Sequence, residues 1–125
     1  MASTEDTNVP EENTCPIAAS LELLGEKWTL LILRDLYLGH TKFNEIERSL
    51  GCPRNLLSAR LRKLTEAGIL AKEEYKEEGS RTRAAYALTP KGYDLAPILE
   101  ALQNWGIKHI PGVNQHPPVP DLPHH

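Results

Sequence analysis

Much of what marks the specialised protein classes is scarce in this chain. Its 125 residues hold only two cysteines, Cys15 and Cys52. A secreted disulfide scaffold needs more, so both thiols are expected to stay reduced. The longest unbroken run of large aliphatic residues is Leu30–Leu33, far below the roughly 20 residues that cross a bilayer as a helix. The N-terminal segment has neither a basic n-region nor an apolar h-region. A cytoplasmic protein is therefore expected. No internal repeat, metal-ligand spacing or Gly-rich phosphate loop occurs, so no metal or cofactor is expected. His124 and His125 read as plain tail and not as a ligand pair.

An excess of positive charge is also missing, at first sight. Lys and Arg number 14 against 17 Asp and Glu, a net charge of -3. The imbalance lies at the ends. Glu5, Asp6, Glu11, Glu12 and Asp121 fall outside residues 14–110, which carry 14 bases and 12 acids, a net of +2. Residues 1–14 are polar and acidic, and residues 111–125 hold five of the ten prolines. Both ends are expected to be disordered, leaving one domain over residues 15–110.

Within that domain the apolar spacing is helical at first. Pro16 suits a first helical turn, and Ile17, Leu21 and Leu24 make a stripe that Gly25 ends. Residues 26–38 are apolar nearly all round, which predicts a buried helix. Gly39 and His40 make a turn, and Thr41 is placed to cap a short helix carrying Phe43, Ile46 and Leu50. Gly51 breaks it. Pro53 opens the next helix, with Leu57, Leu61 and Leu64 inward and Gly68 after its end. Two short helices around a Gly-containing turn predict a helix-turn-helix.

The period then changes. "ILAKEEYK" and "RAAYALT" read as two strands around "EEGS", a β-hairpin. Thr89-Pro90 starts a last helix with Leu95, Ile98, Leu99, Leu102 and Trp105 in its stripe, and Pro97 should kink or split it. The fold class expected is mainly α with a small β-hairpin wing, a winged helix-turn-helix.

The segment "GCPRNLLSARLRKL" gathers Arg54, Arg60, Arg62 and Lys63 with no acid before Glu66. Stepping about 100° per residue from Leu57 turns Asn55, Ala59 and Arg62 outward, flanked by Ser58 and Lys63. Arg54 sits at the N-terminal end and Arg60 nearer the core. Such a face suits the DNA major groove: Ala permits close approach, Asn can bond adenine, and Arg can bond guanine or phosphate. A solvated basic face would look the same alone. The helix and turn before it, and a hairpin carrying Arg81 and Arg83 after it, favour DNA. Wings commonly reach phosphate or the minor groove, while Glu77 and Glu78 should keep the tip clear.

The chain resembles the HxlR-type winged helix-turn-helix transcription regulators, relatives of the MarR group. "CPIAASLELLGEKWTLLILRDLYLG", "KFNEIERSLG", "LLSARLRKLTEAGIL" and "RAAYALTPKGYDLAPILEALQNW" match that family's motifs in order, over nearly all of residues 15–110. The resemblance implies a homodimeric DNA-binding regulator, with the first and last helices forming the dimer interface and Lys42 standing where many relatives have Arg. Other departures are Glu26 for a second Gly, Cys52 for an apolar residue and Pro53 for a Ser cap. Cys15 matches an N-terminal cysteine that senses oxidants or electrophiles in several members. Both cysteines precede helix starts, where backbone N–H groups favour a thiolate. Both are therefore candidate redox sensors, and a bond between them across subunits would tie a dimer helix to the reading helix. Burial as small hydrophobes is the other reading of each.

The function expected is a sequence-specific repressor on an inverted-repeat DNA operator, possessing no catalytic residue. A protein-interaction winged helix and a ligand-controlled regulator stay open as alternatives. A thiol enzyme is disfavoured, because no motif puts His40 or His109 near a cysteine.

Overall fold

A computed structural model describes residues 15–76 and 82–113. The order is α1 (Pro16–Leu24), α2 (Lys27–Tyr37), α3 (Phe43–Leu50), α4 (Arg54–Glu66), β1 (Leu70–Lys76), β2 (Thr82–Leu88), α5 (Pro90–Tyr93) and α6 (Ala96–His109). This is the expected winged helix-turn-helix. The ends 1–14 and 114–125 and the hairpin tip 77–81 lie outside the described residues.

The apolar helix α2 is the centre of the core, with Ile32 and Leu33 fully buried. Ile46 of α3 and Leu57, Leu61 and Leu64 of α4 close around it. These are the inward positions that the helical spacing predicts. Gly51 joins α3 to α4 in the left-handed region at φ 67°, where a side chain would be strained. Asp35, fully buried near the end of α2, accepts a hydrogen bond from Ser49 Oγ at 3.2 Å and faces His40 Nδ1 at 3.3 Å. The α2–α3 turn is thus pinned by polar groups as well as by packing.

Thr41 does not cap α3. Lys42 occupies the N-cap position, and the Glu45 carboxylate accepts from the backbone N–H groups of Thr41 and Lys42 at 3.2 Å each. The reason is tertiary. The Thr41 carbonyl accepts from the Tyr86 N–H at 2.8 Å, and Lys42 forms an isolated bridge with Ala85. Residues 41–42 are therefore extended against β2, which fastens the wing to the helix-turn-helix.

The strands pair antiparallel from Leu70↔Leu88 to Lys76↔Thr82. After them, Thr89 Oγ1 accepts from the Gly92 N–H at 3.2 Å and lies 2.6 Å from the Gly68 carbonyl, to which its hydroxyl donates. Gly92 is required by close approach. A Cβ there would meet Leu88 Cδ2 at 2.9 Å and press on the Ile69 carbonyl. Pro97 splits the closing helix as expected. The helix is interrupted after α5, and Pro97 falls in the first turn of α6, where its missing N–H leaves no bond unmade.

Candidate nucleic-acid interface

Helix α4 presents two different flanks. From Leu57, steps of about 100° put Arg54, Ser58 and Arg62 to one side and Arg60 and Lys63 to the other. The first flank faces the hairpin. Between α3, α4 and the strands lies a cleft of about 380 Å³ lined by Asn44, Arg54, Ser58, Lys72, Tyr75 and Arg83, among others. A second cleft of about 200 Å³ shares Ser58, Lys72 and Tyr86 and adds Arg62. The shared residues make the two a continuous groove along α4. Among the described residues lining it are four cations, Arg54, Arg62, Lys72 and Arg83, and one acid, Glu66.

The cations in and beside the groove are held in different ways. Arg54 stacks over the Phe43 ring at 4.8 Å and pairs with Glu47 at 2.9 Å, which orients the guanidinium at the helix N-terminus. Lys42 Nζ lies 5.0 Å over the Tyr75 ring, so the start of α3 and the wing share a cation–π contact. Asn55, Ser58 and Arg62 are exposed and Ala59 is half-buried. Arg83 is exposed on β2. Arg81 lies outside the described residues. Lys72 is a groove residue that sequence reasoning missed. Strand alternation could have found it, because Leu70 is buried and Lys72, two residues on, stays on that side of the hairpin.

Arg60 and Lys63 turn away from the groove. The Arg60 guanidinium bonds the Glu26 carboxylate, and Lys63 Nζ donates to the Glu22 carbonyl at 3.0 Å. Both acceptors belong to the corner between α1 and α2.

The two cysteines differ sharply. Cys15 is exposed at the start of α1, and the backbone N–H groups of Ala18 and then Ile17 hold its thiol below the usual range. Cys52 is buried, and burial pushes its thiol up despite the nearby Arg60 charge. The thiolate that a helix start was expected to favour at Cys52 is thus opposed by desolvation, which outweighs the Arg60 charge.

A separate face is apolar. Ile17 and Leu21 of α1 and Ile98, Leu102 and Trp105 of α6 are all exposed. Between these helices runs an apolar recess of about 410 Å³. Among the described residues no cluster of His, Cys, Asp or Glu could hold a metal ion, and no helix is long and apolar enough to cross a membrane.

Comparison with known proteins agrees with this geometry. The profile of the HxlR-like helix-turn-helix family matches residues 23–114. An uncharacterized HTH-type transcriptional regulator of Mycobacterium tuberculosis is 40% identical over 109 residues, covering 87% of this chain and 66% of its own length. The chain thus spans just under two thirds of that relative. The crystal structure of PA1607, a candidate transcription factor, superposes with a TM-score of 0.71 at 33% identity, covering 92% of this chain and 84% of its own. The redox regulator HypR in its reduced form gives a TM-score of 0.68 at 28% identity, covering 75% and 92%.

Proposed function

The chain belongs to the HxlR-like helix-turn-helix family of transcriptional regulators, DNA-binding proteins and not enzymes, and from that premise we propose that it is an operator-specific repressor acting as a homodimer. The observation that carries the reading is the cationic groove between α4 and the hairpin. In this reading Asn55, Ser58 and Arg62 meet base edges in the major groove. Arg54, at the helix N-terminus, meets phosphate. Lys42, Lys72 and Arg83 hold the flanking backbone, and Arg81 is assigned to the same role from its position in the chain.

Dimerisation through α1 and α6 is supported by the exposed Ile17, Leu21, Ile98, Leu102 and Trp105, large apolar side chains that a second copy would cover. Two-fold symmetry gives two reading helices and an inverted-repeat operator. Control by oxidation or electrophile modification is assigned to Cys15, whose lowered thiol is exposed beside that face. HypR, a redox regulator by its description, is compatible with this control.

The test is selection of bound duplexes from random DNA by the full-length protein, with and without mild oxidant. An inverted repeat should emerge, bound less tightly after oxidation. Binding with no sequence preference and weak salt dependence would instead favour a winged helix used for protein contacts.

A further inference from the structure

Four basic residues lie close together on α4, but they do not share one environment. Arg60 and Lys63, three residues apart, occupy one flank of the helix. That flank rests on the α1–α2 corner, which is electronegative for two reasons. Glu22 is in the last turn of α1, where carbonyls lack partners within the helix and carry the negative end of its dipole. Glu26, at the N-cap of α2, makes no side-chain capping bond to its own helix. Lys63 Nζ donates to the Glu22 carbonyl at 3.0 Å, and both Nε and Nη2 of Arg60 engage the Glu26 carboxylate. Arg60 is 22% exposed and Glu26 52%. Ion pairs this open add little to stability, so the contribution of these contacts is geometric.

We infer that Arg60 and Lys63 are positioning residues that clamp the reading helix to the α1–α2 corner and do not contact DNA. Lys63 ties this flank to the end of α1, the helix that carries Cys15 at its start, and Arg60 ties it to the start of α2. The inference rests on the DNA-binding reading above and separates Arg60 and Lys63 from the basic residues that the sequence alone groups on the DNA-facing segment.

The test compares Glu26→Gln, Arg60→Gln, their double variant and Lys63→Met in the full chain, on a duplex selected from random sequence. A clamp predicts that Glu26→Gln and Arg60→Gln weaken binding by the same factor, on the order of three- to ten-fold, with no further loss in the double variant. The salt slope should stay that of the parent in all four. A DNA contact predicts opposite signs for the pair: removing the acid would tighten binding, and removing Arg60 would reduce the salt slope by about one. Opposite signs overturn the clamp, and so do four variants that all bind like the parent. A measurement without DNA separates the clamp from the reading beneath it. Amide exchange across Arg54–Glu66 in the free protein should quicken equally in Glu26→Gln and Arg60→Gln, relative to α3. Unchanged exchange overturns the clamp whether or not the parent binds DNA. A parent with no salt-dependent binding overturns the DNA reading alone.

Discussion

The Tyr37 hydroxyl at the end of α2 donates a hydrogen bond to the Gly92 carbonyl in α5, 55 residues further on. It joins the helical core to the turn that follows the wing. The Tyr93 ring packs edge-on against Tyr37, with centroids 6.2 Å apart. Burial, with smaller contributions from Tyr93, Asp94 and Glu100, pushes the Tyr37 phenol up to about 12.

Tyr37→Phe keeps the ring and leaves the Gly92 carbonyl without its donor, a loss of about 1–3 kcal/mol for a buried group. Chemical denaturation should show it as a lower midpoint at unchanged slope. The phenol also gives a pH signature. Its folded pKa lies above the unfolded value near 10, so its contribution is complete below about pH 10 and fades as pH rises toward 12. The parent should lose more stability than Tyr37→Phe across that window. Parallel losses would mean that the Tyr37 phenol titrates alike in the folded and unfolded chain.

Arg62 tests base reading. It is exposed, so Arg62→Ala should leave the melting temperature unchanged and weaken specific binding by about 1–3 kcal/mol. Relaxed preference at one operator position should accompany the loss. Equal operator affinity in variant and parent would remove Arg62 from the reading set.

Lys72 and Arg83 test the wing wall of the groove. Each change to Ala should weaken all sequences alike and lower the salt slope by about one. A falling melting temperature with an unchanged slope would instead mark a packing role.

The apolar face tests assembly. Leu102→Glu places a charge among exposed apolar side chains of α1 and α6. Sedimentation should report a dimer for the parent and a monomer for the variant, which should lose cooperative binding to half-sites about 34–36 Å apart. A parent that sediments as a monomer, with and without the duplex, would refute the dimer.

The thiols should separate by reactivity. Cys15, exposed and lowered by backbone N–H groups, should alkylate quickly near neutral pH, and Cys52, buried and pushed up, only on unfolding. Cys15→Ser should abolish the oxidant response while leaving reduced-state affinity nearly intact. An oxidant response that survives this change would remove Cys15 as the sensor.

The order of elements was legible in the residues because each depends on local spacing. Leu57, Leu61 and Leu64 specify the buried side of α4, and Pro97 specifies the split before α6. The outward placement of Asn55, Ser58 and Arg62 follows from the same periodicity. Thr41 shows where local reading ends: its cap role gave way to a backbone bond with Tyr86. Only the tertiary structure decided which neighbour meets each flank of α4, sending Arg54 and Arg62 to the groove and Arg60 and Lys63 to the α1–α2 corner. It also brought Lys72 to the groove from another element and buried Cys52. A helical repeat encodes a single direction, toward the core. What stands on either side of that direction, and how much water is excluded there, depends on chain segments distant in sequence.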